Sequence, residues 1–265
     1  MIGAIIGDMV GSIYEFNNIK STDFPFWNRR CSVTDDSVMS VAVAKWLLED
    51  SGHTPEHLVK CMLELGRKYP RAGYGGHFRM WLMFDNPQPY NSWGNGSGMR
   101  VSPVGFYAGS LEEAESLAEV SAAVSHNHPE GIKGAQAIAA SIYLARSGKS
   151  KDEIREYVSG RFGYNLNRRI VDIREGYRFD VSCQGSVPEA IIAFLDSDDY
   201  ESAIRLAVSI GGDSDTIACM TGAIAEAYYG VPDNIVTEAE KRIPGDLLDI
   251  IKRFRTEFMS AEKGN

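Results

Sequence analysis

Residues 211–230 read GGDSDTIACMTGAIAEAYYG: a polar mouth of two glycines, two aspartates and a threonine, then a long run of small apolar residues. The run exceeds strand length and does not alternate, so it predicts a buried helix. The same design recurs at residues 34–48, TDDSVMSVAVAKWLL, with a helix predicted over 37–48. Near the start, Gly3, Gly7 and Gly11 recur every four residues and share one helix face. Glycine costs about 1 kcal/mol against alanine inside a helix, so this spacing implies close approach of another helix. Residues 54–69 open with TPEH, an N-cap followed by proline at the first helical position. Further helices are predicted over 111–125, 129–146, 151–162, 188–195, 200–208, 216–229 and 245–258. No period-2 runs alternate with them, so the expected fold is all-α: one compact helical domain over residues 1–265.

Composition sets the outer limits. A chain of 265 residues fits one large domain, and 44% apolar with 24% charged residues excludes a wholly disordered chain. No apolar run approaches the roughly 20 residues that span a bilayer. Thirty-six acidic residues against 27 basic ones give a net charge of −9, which repels phosphate backbones. An extended nucleic-acid surface is therefore not expected, whereas one nucleotide in one pocket is compatible. Cys31, Cys61, Cys183 and Cys219 form no CxxC pair, which argues against a zinc ribbon and for reduced thiols in a cytoplasmic protein. The apolar segment from Met1 to Gly11 lacks a basic flank and contains Asp8, which argues against a signal peptide.

Two acidic constellations carry the chemistry. Thr34, Asp35 and Asp36 precede one apolar helix, and Asp213, Asp215 and Thr216 precede another. Each reads equally as a helix cap that complements the dipole. Together they offer six oxygen-bearing side chains of the kind that hard cations such as Mg²⁺ demand. If the two mouths meet, clustered carboxylates near a core are tolerable chiefly with cations between them, enough for two ions sharing ligands.

Other segments have a plain reading beside a functional one. Glu15 follows the glycine-studded helix and reads as a solvated loop acid or a site acid. The longest stretch without periodicity, 85–107, includes Gly94-Asn95-Gly96-Ser97-Gly98-Met99-Arg100. Three alternating glycines can let backbone N–H groups face an anion, with Arg100 as a charge clamp, or can form a flexible turn. His126 and His128 cap a helix or meet a phosphate or ribose; without a nearby cysteine, zinc is the weaker reading.

In order along the chain, GAIIGDMVGSIYEF, TDDS, GNGSGMR, SHNHPEGIKGA, QGSVPEAI and GGDSDTIACMTGAIAEAYYG resemble the ADP-ribosylglycohydrolase family. That group includes dinitrogenase reductase-activating glycohydrolase and the eukaryotic ADP-ribosylhydrolases. The resemblance implies the family's compact all-α fold. It implies two Mg²⁺ ions, with Mn²⁺ accepting the same ligands, held by Thr34, Asp35, Asp36, Asp213, Asp215 and Thr216. Glu15 matches a mobile-loop glutamate that guards the ribose and can contact a metal. Residues Gly94 to Arg100 match the segment that cradles the diphosphate, His126 a histidine on ADP-ribose, and Ser186 a position that closes around the nucleotide.

The implied activity is hydrolysis of ADP-ribose from mono-ADP-ribosylated protein side chains, with ADP-ribose as product ligand and the protein a monomer. Glu15, Asp35 and Asp36 are the candidate catalytic acids. Arginine-linked substrates are favoured over serine-linked ones, and Asp23 and Asp85 are candidates for the acids that would receive an arginine. The competing readings are a catalytically silent ADP-ribose-binding protein and a two-metal nucleotide phosphohydrolase.

Overall fold

The computed structural model describes residues 1–259. In chain order the helices are α1 (Ile2–Gly11), α2 (Asp35–Glu49), α3 (Pro55–Lys68), α4 (Gly76–Trp81), α5 (Gly96–Met99) and α6 (Ser102–Tyr107). They continue with α7 (Leu111–Ala123), α8 (Pro129–Arg146), α9 (Lys151–Phe162), α10 (Ile170–Ile173) and α11 (Cys183–Asp196). The series ends with α12 (Tyr200–Ser209), α13 (Ser214–Tyr229), α14 (Asp233–Glu240) and α15 (Gly245–Phe254), then a π-helical turn, Arg255–Met259. The only extended pairing among the described residues is a single bridge between Gly94 and Ser182. The expectation of an all-α architecture therefore holds.

Helix α13 is the hub, buried from Ser214 through Glu226 and packed by α1, α8, α11 and α12. The glycine stripe of α1 faces it. A Cβ at Gly7 would stand 2.0 Å from the Ala218 carbonyl oxygen, and one at Gly3 2.5 Å from the Gly222 oxygen. Gly222 answers Gly3 from the other side, so the two backbones touch where any side chain would part them. At the start of α1, Glu226 of α13 accepts from the Met1 ammonium and from the Gly3 N–H at 2.7 Å.

Several boundaries differ from the sequence-based expectation. The stretch 85–107 is not one long loop, because α5 and α6 lie inside it. They are one- and two-turn helices, too short to show a period, and α4, α10 and α14 escape for the same reason. The helix expected over 188–195 begins at Cys183, with Pro188 inside it rather than at its start. Its N-cap is Ser182, whose hydroxyl accepts from the Gly185 N–H at 3.1 Å. The helix expected over 245–258 ends at Phe254 and runs on as the π-helical turn. No helix among the described residues is long and apolar enough to cross a membrane. The four cysteines are all free and buried.

Candidate active site

The two acidic mouths meet. Thr216 Oγ1, on the first turn of α13, donates to Asp36 Oδ2, on the first turn of α2, at 3.3 Å. Gly211 and Gly212 turn the chain into α13 with φ of +74° and +72°, a left-handed region that favours glycine. Oxygen atoms of Asp8, Asp36 and Asp215 lie within 4.8 Å of one another, and so do those of Glu15, Asp213 and Asp215. Asp215 belongs to both triads, so the site is two acid clusters joined at one side chain.

Asp8 is the site residue that the motif reading missed. It is fully buried in α1 and accepts from Thr34 N at 2.9 Å, Thr34 Oγ1 at 2.7 Å, Ser37 N at 3.1 Å and the Ser37 hydroxyl. It therefore ties α1 to the N-terminus of α2 while facing the other acids. The signal was present in IIGDMV, because a lone carboxylate inside an apolar helix demands partners. Asp35, in contrast, stands outside both triads. It lines the cavity beside Gly73, where a Cβ would sit 3.2 Å from its Oδ1.

The electrostatics follow from crowding. Burial, then the charges of its neighbours, pushes Asp35 up to about 8 and Glu15 up to about 7. Asp8 rises to about 6 because burial outweighs its four hydrogen bonds. Asp36 and Asp215 are driven well above the usual carboxylate range by burial and then by the surrounding aspartates. Asp213 rises through burial, although Asn95 Nδ2 donates to it at 2.6 Å. Asp36 Oδ1 is buried and has no hydrogen-bond partner among the described residues. An acceptor left in that state calls for a cation or a donor from outside the protein.

Glu15, Asp35, Asp36, Asp213 and Asp215 form one end of a cavity of about 330 Å³, with Asp8 behind them, and its other walls include His77, Tyr90, Asn95, His126, Phe179 and Val181. The volume falls in the range of small-molecule sites. A larger cavity of about 1100 Å³ lies between α3 and α7 and touches none of the clustered acids. Size points to the second cavity, but the convergent polar groups are in the first, and chemistry decides.

The sequence profile of the ADP-ribosylglycohydrolase family matches residues 1–263. The chain belongs to that family. Human ADP-ribosylhydrolase ARH3 is 26% identical, covering 87% of this chain and 84% of its own. The ADP-ribosylarginine hydrolase Tri1 of Pseudomonas putida is 24% identical, covering 87% of this chain and 70% of its own. A solved structure titled "ADP-ribosylglycohydrolase-related protein complex" superposes with a TM-score of 0.69 at 23% identity. It covers 96% of this chain and 95% of that one, and shows the shared fold. The chain is thus an enzyme of a family of glycosidic-bond hydrolases.

The GNGSGMR segment is not a flexible turn: it is pinned at its start and coils into α5 at the cavity wall. Asn95 N donates to Val181 O at 2.8 Å and Cys183 N to Trp93 O at 2.9 Å, clamping the segment against the start of α11. Its glycines permit close packing, since a Cβ at Gly96 would stand 2.9 Å from His126 Nε2 and one at Gly98 3.0 Å from Met220 Sδ. Gly94, Asn95, Gly96, Met99 and Arg100 line the cavity. Ser97 and Ser186 do not; Ser97 donates to Gly131 O at 2.7 Å and Ser186 to Ser182 O at 2.6 Å. The Arg100 guanidinium is spent on carbonyls, those of Gly96 at 3.2 Å and Ser121 at 2.6 Å, rather than held out as a clamp. Asp23 and Asp85 are not among the cavity walls either.

Arg100 has a second use. Its NH2 donates to Ser125 Oγ at 3.0 Å, and Ser125 Oγ lies 2.8 Å from His126 Nδ1. With Arg100 as a donor to Ser125 Oγ, the tautomer that gives the serine proton an acceptor takes it at Nδ1 and carries its own N–H on Nε2, which faces the Gly94–Gly96 turn. Burial and the Arg100 charge hold His126 well below its ordinary value, so the ring is neutral near pH 7.

Proposed function

We propose that this enzyme is a Mg²⁺-dependent hydrolase that removes ADP-ribose from mono-ADP-ribosylated protein side chains, with arginine-linked substrates favoured and serine-linked ones second. The observation that carries this reading is the pair of acid triads sharing Asp215 at one end of a ligand-sized cavity. The donor set fits hard dications: carboxylates and threonine oxygens throughout, with an unpartnered buried oxygen on Asp36. Asp8, Asp36 and Asp215 would hold one ion and Glu15, Asp213 and Asp215 the other, with Mn²⁺ able to replace Mg²⁺. Bound there, the ions would supply charge neutralisation and Lewis-acid orientation of the ribose hydroxyls.

The chain's own groups divide the remaining work. Cleaving a glycosidic bond requires a base for the attacking water and an acid for the leaving group. Asp35, on the cavity wall but outside the triads, is positioned to take a proton from water, with Asp36 beside it as the alternative. Glu15, half-buried in the turn that follows α1, would hold the second ion in the resting site and, once its loop moves off that ion to admit substrate, would be free to carry a proton to the departing side chain. The neutral His126 presents an N–H to ADP-ribose without adding charge to the site. The curated relatives named for arginine and for ADP-ribosyl hydrolysis support this substrate class.

Incubation with arginine-linked and serine-linked ADP-ribosylated protein, each with Mg²⁺ or EDTA, tests the reading by product identity. Intact ADP-ribose, released only with Mg²⁺, is expected. Release of AMP or phosphate would replace it with the phosphohydrolase reading, and ligand binding without release with the silent-binder reading.

A further inference from the structure

Away from the acid cluster, a second group of metal-ligand side chains sits between α2 and α3. Glu49 closes α2, and His57 and Cys61 lie one turn apart on α3, where residues four apart face the same way. One ligand atom from each lies within 4.8 Å of the other two. His57 Nε2 stands 3.6 Å from Glu49 Oε2, within ion-pair range but too far for a hydrogen bond, and the atom is buried with no hydrogen-bond partner among the described residues. Two ligand atoms, each about 2.1 Å from a tetrahedral centre, stand about 3.4 Å apart, so the observed gap suits a shared cation.

We propose that Glu49, His57 and Cys61 form a binding site for a borderline-soft transition-metal dication, of the Zn²⁺ or Co²⁺ class, distinct from the hard-cation site at the active centre. A thiolate, an imidazole and a carboxylate are a three-ligand set that leaves a fourth position for water. The thiolate and the carboxylate together neutralise the dication. Cys61 is 1% exposed, while the Glu49 side chain is 38% exposed, so the ion would enter from the Glu49 side. Burial, then the Glu49 charge, pushes the free thiol up to about 12, so the ion displaces the thiol proton on binding. Lys45, paired with Glu64 nearby, adds one cation and one anion and leaves the local balance unchanged. The site stands whether or not the hydrolase reading holds.

The test is Co²⁺ titration of the full chain with excess Mg²⁺ present to fill the carboxylate cluster. The expected result is a thiolate-to-cobalt charge-transfer band saturating at one Co²⁺ per chain. The band should vanish in Cys61→Ser. In His57→Ala and Glu49→Gln, both at partly exposed positions, Co²⁺ affinity should fall at least about tenfold. Absence of the band at saturating Co²⁺, or an unchanged band in Cys61→Ser or His57→Ala, would overturn the proposal.

Discussion

Individual residues of the site carry separable roles, and Asp8 is the clearest case. Its carboxylate receives four donors from Thr34 and Ser37, so an amide there turns an NH₂ group toward at least one of them. In Mg²⁺ buffer Asp8→Asn should cost about 1–3 kcal/mol of unfolding free energy, read by urea denaturation, since a buried donor loses its acceptor. An unchanged midpoint would show that Asp8 does not join α1 to α2. Ser125→Ala should weaken ADP-ribose binding about tenfold by calorimetry, because His126 loses the partner that fixes its tautomer. Equal affinity would remove His126 orientation from the account. Thr34, Asp36, Asp213, Asp215 and Thr216 could be picked from the sequence because each stands at the mouth of an apolar helix. Asp8 was harder, being sequence-distant from both mouths and embedded in a helix whose composition says core. Arg100 reads as a clamp because a charge beside glycines suggests an anion; only the fold shows its NH1 and NH2 groups bonded to carbonyls and to the Ser125 hydroxyl.

Among the elements, the α1–α13 contact sets where the acids stand, because Asp8 and the chain leading to Glu15 ride on α1 and Asp215 on α13. Alanine at Gly7 would gain helix propensity worth about 1 kcal/mol but drive a methyl into the Ala218 backbone. Backbone cannot yield as a flexible side chain does, so overpacking of about 1–3 kcal/mol or more wins. Gly160 is also inside a helix but nothing lies within 4 Å of its added Cβ. Gly160→Ala should therefore raise the melting temperature while Gly7→Ala lowers it. The same sign for both would mean that the glycine stripe is not a packing device. The long helices are readable from their apolar runs and, at Thr54–Pro55, from the cap; the structure adds the capping box of Ser150 with Glu153 and Pro129 at the first turn of α8. The short α4, α5, α6, α10 and α14 are not readable, because four to eight residues are too few to show a helical period.

For the molecule as a whole, function rests on an apposition that no single segment encodes: two helix mouths, some 180 residues apart in sequence, share a hydrogen bond. Assembling these carboxylates has a pH signature. With no metal bound, Asp8, Glu15 and Asp35 sit at about 6, 7 and 8, above their ordinary values of 3.8, 4.5 and 3.8. The folded chain therefore holds more protons than the unfolded chain between these limits. The stability contribution of these groups is fully present below about pH 4 and is lost as pH rises through the folded values. Metal-free protein should accordingly melt at a lower temperature near pH 8 than near pH 5, and Mg²⁺ should reverse the loss at pH 8 by binding the ionised cluster. A melting temperature that does not fall over that range would mean that the acids are not crowded as described.

The central claim, that two acid triads joined at Asp215 form a two-cation centre, is tested most directly by calorimetric titration of the metal-free chain with Mg²⁺ at about pH 8, wild type beside Asp215→Asn. Two ions per chain are expected for the wild type, with affinity for both falling at least about 100-fold in the variant. No binding to the wild type, or binding that Asp215→Asn leaves unchanged, would contradict it.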